Sequence, residues 1–154
     1  MTLAEQQAAI VAALTRNGPV PDGFDLDRVQ AAADALAFKR ARAVARAWPG
    51  LRAMLGAELR DRFATYVSHA RLPEQGGPLA DGRAFVRWLA GQMPLADDVA
   101  LQALSVDQRW RQTARGLVPR RGPRVGFAWL PTMQCAIVAI GARELRLRLP
   151  RLRR

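Results

Sequence analysis

The spacing of apolar residues changes period once along this chain, near Gly116, and that change constrains the fold more than any other feature. Before it, apolar residues recur every three or four positions; after it, they alternate or run together in short segments bounded by Gly and Pro. The first period suits a helix and the second a strand. The fold class is therefore read as α+β, with an N-terminal helical bundle over residues 1–115. A linker and a small three-stranded antiparallel C-terminal sheet fill residues 116–154. At 154 residues the chain has the length of a single domain, so the sheet is expected to pack as one unit with the helices.

The first helix is predicted from about Thr2 to Arg16. Thr2 and Glu5 have the spacing of a capping box. Leu3, Ile10, Val11 and Leu14 form the apolar stripe, and Asn17-Gly18-Pro19 ends it. A second helix is predicted from about Asp25 to Ala47, with Val29, Leu36 and Val44 inward and Arg40, Arg42 and Arg46 outward. Trp48-Pro49-Gly50 breaks it, because proline disfavours helical geometry in the residue before it. PGLRAMLG reads as a short helix, and AELRDRFATYVSHA carries Leu59, Phe63, Tyr66 and Val67 at helical spacing. After the loop RLPEQGGP, the helix ADGRAFVRWLAGQ turns Phe85, Val86 and Leu89 inward. The last helix is read from MPLADDVALQALSVDQRWRQTAR, with Val99, Ala103, Val106 and Trp110 as its stripe. Asp97 and Asp98 fall in its first turn, where the helix dipole favours negative charge.

VPRRGPR reads as the linker. The strands that follow are RVGFAWL, MQCAIVAI and RELRLRL. The first places Phe127 and Trp129 on one face and Ala128 and Leu130 on the other. The second is apolar on both faces, as a central strand should be. Gly141-Ala142 suits a type II′ turn into the third. There Leu145, Leu147 and Leu149 share one face, and Arg146 and Arg148 the other. A helix would fail at Pro150, which would clash with the carbonyl of Arg146. Only RLRR then trails as a tail.

Composition narrows the function classes. The chain holds one histidine, His69, and one cysteine, Cys135, in different regions. That excludes an internal disulfide and argues against a metal site built from several such ligands. His69 reads as a helix-end cap, Cys135 as a buried thiol, and Asp61, Asp97 and Asp98 as surface charges. No phosphate-binding glycine loop or nucleophile elbow is present, so the chain is not expected to be an enzyme. MTLAEQQAAI lacks the pattern of a secretory signal, and CAIVAIGA is too short to span a membrane. A soluble, cytoplasmic protein without membrane contact is expected.

Binding is the function class left. Lys and Arg number 24 against 13 acidic residues, a formal net charge of +11, which attracts anionic partners. Trp48, Trp88 and Trp110 read as core residues. Phe127 and Trp129 lie on a sheet face that either covers the helices or meets a partner. A nucleic-acid reading uses Arg120, Arg121 and Arg124 with the C-terminal arginines as phosphate contacts. A peptide reading adds an extended segment to the edge of the terminal strand, with Arg146 and Arg148 pairing its acidic side chains. Edge protection against aggregation accounts for the same arginines without any ligand.

The stretch RARAVARAWPGLRAMLGAELRDRFATYV, followed by a loop and DGRAFVRWLA, resembles the helical partner proteins of multinuclear non-haem iron-dependent oxidases that modify ribosomally made peptides. The matching features are Trp48-Pro49, the turn from Leu51 to Gly56, and the helix with Phe63 and Tyr66. The likeness covers about residues 25–115. It is greatest to the accessory domain fused behind the oxidase in some actinobacterial proteins, of which this chain would be a stand-alone version. The resemblance implies a heterodimer in which the oxidase carries the iron and this chain carries no cofactor. In some such partners a small C-terminal sheet holds the leader of the precursor peptide, and the basic side chains of this chain are expected to favour an acidic leader. The peptide site inferred for this chain is Phe127, Trp129, Arg143, Arg146, Leu147 and Arg148. Related helical domains have also been described as DNA-binding, which keeps the DNA-binding module as an alternative. A structural interaction domain without a peptide ligand is the other.

Overall fold

The computed structural model describes residues 2–16, 18–122, 125–141 and 143–148, with the side chains of Arg16 and Arg148 left aside. Helix α1 (Leu3–Arg16) opens on a reciprocal capping box. The Thr2 amide donates to Glu5 Oε2 at 2.7 Å, and the Glu5 amide donates to Thr2 Oγ1 at 3.3 Å. It packs on α2 (Leu26–Ala47), although Leu3 and Val11 of its stripe stay exposed. Asp25 caps α2 by accepting from the Arg28 amide at 3.0 Å. Trp48 ends α2 and begins α3 (Pro49–Leu55), with Pro49 in the first turn, where a missing N–H costs nothing. A 3-10 turn (Gly56–Glu58) leads to α4 (Leu59–Val67), followed by α5 (Gly77–Ala90) and α6 (Asp97–Arg109).

These helices enclose a core built on Trp48, Leu51, Phe63, Phe85, Leu89 and Val99, all fully buried. Phe63 and Phe85 meet edge to face with centroids 5.1 Å apart, a favourable aromatic geometry. Tyr66 and the half-buried Trp88 extend the cluster. The Trp48 indole donates to the Leu79 carbonyl at 3.2 Å and lies flush on Gly82, where an added Cβ would overlap the ring. A glycine in mid-helix is costly, and here it makes room for the largest side chain of the core.

Two expectations are corrected in this part. Arg40 does not face outward: it is buried, and its Nε and Nη2 each donate to Asp81 at 2.9 Å. The reason is helical phase. Position 40 lies four before Val44 and eleven after Val29, on the inward stripe. Asp81 lies four before Phe85, on the inward side of α5. The guanidinium also sits 5.7 Å from the Phe63 ring centroid. Burial, and then the Asp81 carboxylate, push the Tyr66 hydroxyl well above the usual phenol range, so it stays neutral beside this pair.

The second correction concerns residues 110–119. α6 stops at Arg109, and Trp110 is already extended. β1 (Trp110–Thr113) and β2 (Gly116–Pro119) form an antiparallel hairpin where a helix end and a linker were expected. Tertiary hydrogen bonds hold it there. The Arg115 carbonyl accepts from the Glu74 and Gln75 amides, and the Leu117 amide donates to the Gln75 carbonyl. Trp110 packs half-buried on the bundle core.

The last three strands are β3 (Val125–Leu130), β4 (Cys135–Ile140) and β5 (Arg143–Arg148), in the order β3-β4-β5 and antiparallel throughout. β4 is central, as its doubly apolar pattern requires. Gly141 has φ +61°, the sign a type II′ turn needs at its first position. Ala142, Leu149, Pro150 and the RLRR tail lie outside the described residues. The sheet lays Ala128, Leu130, Cys135, Ile137 and Ala139 against Ala100 and Leu104 of α6, forming a second, smaller core. The whole is α+β. Among the described residues no helix is long and apolar enough to cross a membrane.

Candidate functional site

Strand alternation gives the C-terminal sheet two faces, and among the described residues only one is covered. The face away from α6 carries three rows of side chains across the strands. They are Val125–Ile140–Arg143, Phe127–Val138–Leu145 and Trp129–Ala136–Leu147. Directly opposed residues in such rows stand about 5 Å apart and form one surface. Phe127 is 66% exposed and Trp129 41%, and Val125, Ile140, Leu145 and Leu147 are exposed as well. These exposed side chains form a contiguous apolar patch.

Four of the residues inferred from sequence, Phe127, Trp129, Arg143 and Leu147, therefore come together on this face. Arg146 does not. It pairs with Ile137, whose side chain points to α6, and it stands exposed near Glu144 at 3.9 Å. The backbone of Arg148 pairs with Cys135, and its side chain lies outside the described residues. Val125, Ile140 and Leu145 complete the patch and were missed. Val125 was findable, since it follows the same alternation as Phe127 and Trp129.

Both sheet edges, of β3 and of β5, lack a backbone partner among the described residues. Beside β3, a groove of about 560 Å³ runs between the strand and α5–α6. Val86, Met93, Leu95 and Leu104 line it, and Phe127 and Trp129 border it from the sheet side. Arg83 and Asp107 cross it as a fork-to-fork ion pair at 2.8 and 2.6 Å. Beside β5 the hollow is more polar and includes Ser105, Gln108, Glu144 and Arg146. The groove can receive apolar side chains and offers charged groups at one wall. Cys135 is buried in β4, and His69 is exposed on the turn after α4, so neither lines it.

Of the residues named for nucleic acid, Arg120 and Arg121 meet Arg111 around a hollow on the β1–β2 hairpin, and Arg124 lies outside the described residues. The Arg120 amide continues the hairpin ladder to the Arg109 carbonyl at 3.0 Å. Its side-chain Nε is buried without a hydrogen-bond partner among the described residues. Arg111 was missed because the residues around it read as helix.

Comparison with known proteins places the helical part. The family described as SCO6045-like, C-terminal domain matches residues 4–91, which spans α1 through α5 and stops before α6 and both sheets. A UPF0276 protein of Streptomyces avermitilis is 42% identical over 87 residues, which is 56% of this chain and 18% of that relative. The chain thus spans under a fifth of the relative's length. No solved structure matches the chain. With more than half of its residues matched, the chain belongs to the SCO6045-like C-terminal domain family.

Proposed function

We propose that this chain is a non-catalytic partner subunit of a multinuclear non-haem iron-dependent oxidase that modifies ribosomally made peptides. The iron and the reaction belong to the oxidase. The helical bundle docks that enzyme, and the C-terminal sheet captures the leader of the precursor peptide. The chain's likeness to a small part of a longer UPF0276 protein supports a role beside a larger protein.

The observation that carries the peptide arm is the exposed Phe127–Trp129–Leu147 face beside a strand edge that has no backbone partner among the described residues. An extended leader added to β3 gains main-chain hydrogen bonds along that edge. Its alternate side chains then fall into the groove against Val86, Met93 and Leu104 or onto the outer face. Arg143 and Arg146 both stand on β5, Arg143 at the corner of the same face and Arg146 on the α6 side, and their positive charge favours an acidic leader over the sheet.

The test is co-expression with an oxidase of this class and its precursor peptide, followed by titration of the labelled leader. The double variant Phe127→Ser, Trp129→Ser is expected to weaken leader binding by about tenfold or more, the effect of losing one buried anchor. Arg146→Glu has a smaller effect, and the oxidase still co-purifies with both variants. Unchanged leader affinity in the double variant removes the sheet from the site. Co-purification with no leader binding at all leaves a structural interaction domain.

One observation favours a second reading. The Arg111–Arg120–Arg121 hollow, whose Arg120 Nε has no partner among the described residues, suits a phosphate. A DNA-binding module predicts tight binding of random duplex that falls linearly in log affinity against log salt. No DNA binding at low salt eliminates it.

A further inference from the structure

A separate concave surface, of about 530 Å³, lies between α2 and the α3–α4 turn. Arg42 and Arg46 reach it from α2, Arg52 from α3 and Arg60 from α4, around Phe38 and Leu59. Phe38, Arg42 and Arg46 follow one another at four-residue intervals on α2, which brings them onto one face. The guanidinium carbons of Arg42 and Arg60 lie 5.9 and 5.1 Å from the Phe38 ring centroid. No carboxylate lines the groove, and among the described residues none of these four arginines makes an ion pair. Some other surface arginines are paired, as in Arg62–Glu58 and Arg115–Glu74. Here like charges converge with nothing to offset them.

We infer that this groove binds an acidic peptide segment of a protein partner. A guanidinium resting on an aromatic ring keeps its N–H edge free for two parallel bonds to a carboxylate. Two such groups at Phe38 and two more along the groove form a row suited to successive acidic side chains. Phe38 is partly exposed and offers an apolar contact to a neighbouring residue of the segment. Single-stranded nucleic acid fits less well, because base binding needs a free aromatic face and the Phe38 ring is already engaged by Arg42 and Arg60. The groove is formed by α2, α3 and α4 alone, so the inference does not depend on leader capture at the sheet.

The test uses the full chain and a fluorescein-labelled peptide of alternating glutamate and leucine, with polyuridylate of equal charge as the competing probe. Anisotropy at low salt gives the affinities. Arg42→Ala with Arg60→Ala is expected to weaken peptide binding by about tenfold or more, as loss of charge-assisted bonds predicts. Arg42→Lys with Arg60→Lys keeps the charge without the fork and is expected to weaken it several-fold. Arg71→Ala, on the exposed loop after α4 and away from both proposed sites, leaves it unchanged. The circular-dichroism melt stays as in the parent, because these side chains are exposed. Should the alanine pair fail to fold, the lysine pair decides. Unchanged affinity in the folded groove variants, an equal loss in Arg71→Ala, or tighter binding of polyuridylate than of the peptide overturns the inference.

Discussion

In the helical bundle Trp48, Phe63 and Phe85 are fully buried, whereas Phe127 and Trp129 of the sheet are 66% and 41% exposed. The contrast follows from geometry. A helix buries one stripe, and the bundle surrounds that stripe with neighbours. A sheet has two faces, and this one has α6 against only one of them. The family match follows the same divide, covering α1 through α5 and none of the sheet strands. The part matched by the family lies in the enclosed bundle, and leader capture is proposed for the displayed sheet.

Asp81→Ala is the variant that would strain this contrast most. It strands the Arg40 guanidinium in the core without its partner, and breaking a buried pair this way costs about 3–5 kcal/mol. Urea unfolding followed by far-ultraviolet circular dichroism reads the loss. A loss below about 1 kcal/mol, the range of exposed pairs, would mean that the Arg40 side of the bundle is open to water. Gly82→Ala sharpens the same point with a smaller effect and a diagnostic sign. Helix propensity alone predicts a gain of up to about 1 kcal/mol. The overlap with the Trp48 ring predicts a net loss of about 1–3 kcal/mol instead. Thermal melts of the two proteins decide the sign. Phe127→Ser has the smallest expected effect, within about 0.5 kcal/mol of the parent, as for a surface substitution away from the core. A larger loss in the same melt would mean that the outer sheet face is covered from within the chain.

Much of the bundle was legible because its signals are local. The Thr2–Glu5 box, the Trp48-Pro49 break and the stripe through Phe85 and Leu89 each act over a turn or two of chain. The sheet's alternation was equally local, and it placed Phe127 and Trp129 together before any coordinates. The failures were non-local. WRQTAR carries no helix breaker, so nothing nearby announces that Trp110 turns extended. The hydrogen bonds that hold the hairpin come from Glu74 and Gln75, some forty residues away in sequence. Arg40 was misplaced for another reason: its phase pointed inward, but a charge at that position suggested solvent until Asp81 was seen opposite. Arg146 and Leu147 were both named for the peptide site although their alternation sets them on opposite faces, and only packing showed that the face of Arg146 is the one turned to α6.

The sequence by itself determined the α+β class, the helix boundaries at their caps and breakers, and the three terminal strands, because period and capping are properties of neighbouring residues. Only the tertiary structure decided which face of the sheet meets the bundle. Ala128 and Ala139 are small enough to let α6 approach, with Leu130 and Ile137 filling the contact. The bulkier Phe127 and Trp129 were thereby left outside. It also decided that Arg40 and Asp81 are partners and that Arg42, Arg46, Arg52 and Arg60 share one groove. Those residues come from different helices, and only packing brings them within reach of one another.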